Sequence, residues 1–220
     1  MSDRIDEIES RLGELGSPVV PEDPEAPEAP EAPEAPKDGD AAPVLRPPEP
    51  AAEHAEGDLR VPEGYTVLSG GTDGRRAVGI VVSRYNGEIT NRLLERALAE
   101  LEEVGVPREA IMVMPVPGAF ELPLAAMALA KTRRYACIVA LGCVIRGETP
   151  HFDLIAGEAA SGLQLAAIET GVPIAFGVLT VENREQAEER IDRAADAVRS
   201  ALEMADVFSQ LRAQAAGPLR

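Results

Sequence analysis

Between Gly142 and Asp153 the chain reads GCVIRGETPHFD. An apolar run from Ala136 to Val144 has the composition of a buried strand. It feeds a turn, Arg146-Gly147-Glu148-Thr149, and then Pro150-His151-Phe152-Asp153, where a helical pattern begins. One strand-to-helix turn therefore collects a glycine, a hydroxyl and His151, the single histidine outside the first 60 residues. Backbone N–H groups at a helix start form a ready anion site. An imidazole beside them can accept and donate protons near neutral pH.

Three other stretches carry residues of the same kind: Tyr85-Asn86, Ala119-Phe120-Glu121, and the strand from Phe176 to Thr180. In a parallel sheet, ligands bind at the carboxyl ends of the strands, so all four stretches are expected to converge on one edge. Each has a plain structural alternative. Taken alone, His151 is more often a structural residue at a helix start and Glu121 more often a capping carboxylate. Tyr85 is as easily an interface ring as a stacking platform, and Arg190 is by default a solvated face residue. Their joint placement favours a functional reading without naming a substrate. Neither GxGxxG nor GxxxxGK[ST] occurs, no serine sits at a strand-end elbow beside an acid, and no Cys/His set has zinc spacing.

The elements that position these residues alternate. Strands are expected at Arg76–Ser83, Ile111–Val116, Ala136–Val144 and Pro173–Val181, with a short edge strand at Tyr65–Leu68. Helices are expected at Thr90–Val104, Leu122–Lys131, Phe152–Thr170 and Arg184–Leu211. The strands are nearly continuous apolar runs, as befits strands covered on both faces. Alternating β and α elements imply an α/β fold, a parallel sheet with helices on both faces and right-handed crossovers.

The formal charge is −17, which argues against nucleic acid and anionic membranes as partners. No run approaches a membrane span, and MSDRIDEIESRLGELG is not a secretory signal. Cys137 and Cys143 fall six apart in one strand, on one face and too far apart to bridge, and read as small buried hydrophobes of a cytoplasmic protein. Residues 1–60 hold 11 of the 19 prolines and 17 acidic against 5 basic residues. Proline recurs every third residue from Pro24 to Pro36, which suits an extended, disordered spacer. Ile5, Ile8, Leu12 and Leu15 draw one apolar stripe on a short helix over 3–15. This arm reads either as a docking segment for a partner or as a tail without function. The folded domain is expected over 61–214, with 215–220 frayed.

From about Ala77 to Arg212 the chain resembles the lumazine synthase family. The resemblance rests on SRYN (83–86), VPGAFELP (116–123), GCVIRGETPHFD (142–153), FGVLT (176–180), EQAEER (185–190) and ALEMADVF (201–208). It implies a flavodoxin-like three-layer αβα sandwich with a four-stranded parallel sheet. It implies condensation of 5-amino-6-(D-ribitylamino)uracil with 3,4-dihydroxy-2-butanone 4-phosphate to 6,7-dimethyl-8-ribityllumazine, phosphate and water. No metal or redox cofactor is implied. The family forms pentamers, in many members icosahedral shells, with sites between subunits. By resemblance, Tyr85 stacks on the pyrimidine and Ala119 and Glu121 hold the ribityl chain. Gly147, Glu148 and Thr149 form the phosphate-binding turn, and His151 transfers protons. Phe176 is a ring from the adjacent subunit, and Arg190 meets the phosphate. Asn86, Phe120, Cys143, Val144 and Ile145 complete the substrate-binding set.

One departure stands out. Where the family has a glycine- and lysine-rich loop after the arginine, this chain has the shorter Ile191-Asp192-Arg193-Ala194-Ala195, so the last two helices are expected to fuse. The leading expectation is an active enzyme. Its rivals are a catalytically weakened shell or scaffold protein whose N-terminal arm recruits riboflavin synthase or another cargo, and a module that merely holds a flavin or lumazine.

Overall fold

The computed structural model describes residues 61–72 and 76–216. What the sequence suggests for 1–60, 73–75 and 217–220 lies outside the described residues. Four parallel strands form one sheet: β1 (Val78–Ser83), β2 (Ile111–Val116), β3 (Cys137–Ile145) and β4 (Ile174–Val181), in the order β2-β1-β3-β4. The helices are α1 (Gly87–Glu103), α2 (Leu122–Lys131), α3 (His151–Thr170), α4 (Arg184–Glu188) and α5 (Arg193–Ala216).

Side-chain alternation along the strands divides the core into two halves. Val78, Ile80 and Val82 of β1 face the same way as Cys137, Val139, Leu141 and Cys143 of β3, and are covered by α1 and α5. Val81, Ile138, Ala140 and Val178 face the other way, under α2 and α3. Leu93 and Leu101 of α1 and Leu122 of α2 are fully buried where the helices meet the sheet. The result is the expected three-layer αβα sandwich. No described helix is long and apolar enough to cross a membrane.

Two expectations fail. The edge strand at Tyr65–Leu68 does not form, and Tyr65 and Val67 are exposed. The chain that follows runs along α5 instead: the Gly71 N–H donates to Asp206 Oδ2 at 3.0 Å, and Gln210 Nε2 donates to the Ser69 carbonyl at 2.8 Å. Backbone groups bonded to helix side chains have no sheet edge beside them to extend.

The final helix is not continuous either. Asn183 caps α4, its Oδ1 accepting the Gln186 N–H at 2.9 Å, and α4 ends after five residues. The chain then turns through residues 189–192 on i→i+3 bonds, including Arg193 N–H to the Arg190 carbonyl and Ala194 N–H to the Ile191 carbonyl, both 3.1 Å. The turn lets Ile191 pack against the core and lets Asp192 accept from Arg96 Nε at 3.2 Å. Those long-range contacts outweigh the local helical pattern.

Gly177 sits in β4 where a Cβ would lie 2.7 Å from Leu141 Cδ2 and 2.9 Å from the Ala140 carbonyl oxygen. Part of that obstruction is backbone, which cannot rotate away. Gly177→Ala is expected to destabilise the fold by about 1–3 kcal/mol through overpacking. The check is the unfolding midpoint in denaturant, and an unchanged midpoint would mean that β4 shifts at little cost.

Candidate functional site

At the carboxyl ends of β1, β2 and β3 the chain forms a cleft of about 640 Å³. This is the edge where ligands bind in open α/β sheets. The strand order reverses direction between β1, which connects to β2, and β3, which connects to β4. The lining comes from Tyr85 and Asn86 after β1, Gly118 to Glu121 after β2, Cys143 to Ile145 at the end of β3, and Gly147, Thr149, His151, Phe152 and Ile155.

Each turn is fixed by its own local chemistry. Asn86 adopts the left-handed conformation (φ 56°, ψ 46°), which asparagine tolerates better than most residues. Its carbonyl accepts the Ile89 N–H at 2.9 Å and starts α1, while its Nδ2 donates to the Cys143 carbonyl at 2.9 Å. The turn after β1 is thereby tied to the end of β3. After β2, residues Ala119–Glu121 form one 3-10 turn, and Glu121 Oε2 accepts the Gly118 N–H at 2.9 Å. Glu121 is thus a cap and a cleft residue at once. Tyr85 and Phe120, 72% and 58% exposed, hold two aromatic faces toward solvent at the mouth of the cleft. Exposed rings in a concave site are available for stacking.

His151 is the first residue of α3, behind Pro150, and its side chain is exposed on the cleft. Among the described residues its side chain makes no hydrogen bond to protein. The turn before it is pinned at its base by Arg146. The Arg146 N–H continues the strand ladder to the Val181 carbonyl at 2.9 Å. Its guanidinium donates to Glu182 at 2.8 and 3.0 Å and to both oxygens of Asp153 at 3.1 Å. It also lies 4.1 Å over the Phe152 ring. The hydrogen bonds it donates to Asp153 and Glu182 hold the guanidinium above its ordinary pKa.

The structure therefore gathers Tyr85, Asn86, Ala119, Phe120, Glu121, Cys143, Val144, Ile145, Gly147, Thr149 and His151 in one cleft. Glu148, Phe176 and Arg190 do not line it. Phe176 stands opposite Ala140, five residues short of the carboxyl end of β4, about 16 Å away along the strand. The four stretches therefore do not all converge within one chain: Phe176 stands apart from the other three. Phe176 instead borders a second apolar groove with Ile168, Met204 and Phe208. Arg190 lies in the 189–192 turn, exposed, donating to the Gln186 carbonyl at 2.8 Å. Sequence reasoning missed Gly118, Phe152 and Ile155 as lining residues. Ile155 was legible, because it lies four residues after His151 on the same face of α3.

Burial pushes the Cys143 thiol up to about 11 and the Cys137 thiol up to about 12, from 9.0. Desolvation penalises the thiolate in the folded chain only. Below pH 9 both thiols are neutral whether the chain is folded or not, and they impose no pH dependence. As pH rises from 9 toward 11–12 the unfolded chain ionises first, so stability is lost across that window. A Cys137→Ala/Cys143→Ala double variant is expected to show a shallower decline in unfolding free energy between pH 9 and pH 11. Equal slopes would show that the thiols titrate alike in both states.

A model of the family described as 6,7-dimethyl-8-ribityllumazine synthase matches residues 75–209. Among similar curated proteins, the 6,7-dimethyl-8-ribityllumazine synthase of Syntrophus aciditrophicus (strain SB) is 48% identical over 138 residues, covering 60% of this chain and 90% of its relative. That of Chlorobium phaeovibrioides (strain DSM 265 / 1930) is 48% identical over 136 residues, covering 60% of this chain and 88% of its relative.

Proposed function

The chain belongs to the 6,7-dimethyl-8-ribityllumazine synthase family, transferases of riboflavin biosynthesis, and from that premise we propose that the cleft at the ends of β1, β2 and β3 is its catalytic site. The reaction condenses 5-amino-6-(D-ribitylamino)uracil with 3,4-dihydroxy-2-butanone 4-phosphate. The single observation that carries the assignment is the meeting of His151, the Gly147–Thr149 turn and two exposed aromatic rings in one concavity.

The chemistry suits these groups. Tyr85 and Phe120 offer flat apolar faces to a pyrimidine. The Ala119–Glu121 turn stands beside them to bond the ribityl hydroxyls. Gly147 and Thr149 present backbone N–H groups and a hydroxyl to a phosphate. Imine formation and elimination need one group that both takes and gives a proton near pH 7, the role assigned to His151. Orienting two substrates side by side supplies much of the remaining acceleration. No metal or redox group is required for this sequence of steps.

The family reading carries oligomeric assembly, and we assign a pentamer, or an assembly of pentamers, with the site between subunits. Phe176 and Arg190 lie outside the cleft of their own chain. In this reading they serve the neighbour's cleft, where Arg190 brings the cation that the phosphate needs. We assign residues 1–60 a role separate from catalysis, since the family match begins at residue 75. The free cysteines suit a reducing cytoplasm. The scaffold alternative rests only on the short 190–195 segment and is not favoured by the family match.

The purified protein is expected to turn over both substrates, read by the absorbance and fluorescence of the lumazine product. His151→Ala is expected to lower kcat by about 10²–10⁴-fold while the assembled size is unchanged. Full rate in that variant would remove the proton-transfer assignment. Deleting residues 1–60 is expected to leave kcat within about two-fold, because no residue of the cleft is lost. Loss of soluble assembly on deletion would overturn that separation.

A further inference from the structure

The Gly147–Pro150 segment leaves β3 exposed and makes few contacts of its own. Gly147 has no atom within 4 Å of where a Cβ would stand. Its next fixed point is the start of α3, where the Asp153 N–H donates to the Pro150 carbonyl at 3.1 Å. Arg146 closes this arch at its base. The guanidinium joins three residues from two places in the chain: Glu182 just past β4, and both Phe152 and Asp153 in the first turn of α3. Both neighbours of Arg146, Ile145 and Gly147, line the cleft, while the Arg146 side chain does not. With two carboxylates already on its fork, its charge is engaged away from an incoming anion.

The geometry points to Arg146 as a positioning residue that sets where the 147–149 turn and His151 stand relative to bound substrates. It acts through its clamp on Glu182, Asp153 and Phe152 and does not itself bind phosphate. This rests on the reading of the cleft as the catalytic site. A single exposed ion pair contributes little, but a planar fork held by two carboxylates and stacked on a ring imposes a geometry that a lysine cannot reproduce.

The test uses the full-length assembled protein with Arg146→Ala, Arg146→Lys and, for comparison, Arg184→Ala. Arg184 also bonds two carboxylates, Glu88 and Glu188, but lies outside the cleft. Both Arg146 variants are expected to lose about 10- to 100-fold in kcat. The KM for the pyrimidine should stay near that of the unsubstituted protein, with assembled size retained. Added guanidinium is expected to restore part of the rate to Arg146→Ala, and Arg184→Ala should keep full rate. Unchanged kcat in both Arg146 variants would overturn the inference. So would a raised KM for the butanone phosphate at unchanged kcat, which would make Arg146 a direct ligand. If the unsubstituted protein shows no turnover, the functional reading falls, and amide hydrogen exchange then decides the clamp. Faster exchange across 147–153 in Arg146→Lys supports it, and equal exchange overturns it.

Discussion

Everything in the fold depends on β3 having both edges paired and both faces covered. Its ladder is taken by β1 on one side and β4 on the other, and residues Cys137 to Cys143 are all buried. A strand placed so cannot shift register without exposing one of the two core halves. Gly142 sharpens the constraint, since its missing side chain leaves room for Leu122 and Val178 on one face of the sheet. With β3 held, the residues that follow it leave the sheet at one defined point.

That point becomes a site because of where the crossovers go. The chain leaves β1 by α1, which lies over one face of the sheet, and leaves β3 by α3, which lies over the other. The two exits diverge and a crevice opens between them. Asn86 bridges the crevice from β1 to the Cys143 carbonyl, and the Gly118–Glu121 turn bounds it beyond β1. The small residues of α2 and α3, with Gly162 close against Pro123, let those two helices pack tightly against each other.

The cleft edge and the structural core obey different physics. The core is apolar and alanine-rich, and it needs no ion pairs to define it. Glu100, the one buried carboxylate among the described residues, sits away from the cleft and is matched by Arg96 and Arg199, each at 2.8 Å. At the cleft, by contrast, aromatic rings and the histidine stand in solvent, and position is imposed by capping groups and one arginine fork. Exposure there leaves the rings and the imidazole open to solvent, while the turns that carry them are tied by Glu121 to Gly118 and by Arg146 to Glu182 and Asp153.

Much of this was legible in the chain. Apolar runs such as 136–144 and the leucine spacing of α1 are local periodicities, and they located all four strands and the helices between them. The turn residues Asn86, Glu121, Thr149 and His151 were found because their types are unusual beside apolar strands. What periodicity cannot carry is contact between distant segments. The order β2-β1-β3-β4, the place of Phe176 mid-strand, and the absence of an edge strand at 65–68 all follow from pairings across many tens of residues. The break at 189–192 goes with Ile191 packing on the core and Asp192 meeting Arg96, and the clamp on Arg146 depends on Glu182 arriving beside it. Sequence determined the elements and the chemistry of their turns, because backbone preference and side-chain period are local. Tertiary structure alone decided which turns share a cleft and which residues are held in place there, because those depend on strand register and on ion pairs that exist only once the sheet has formed.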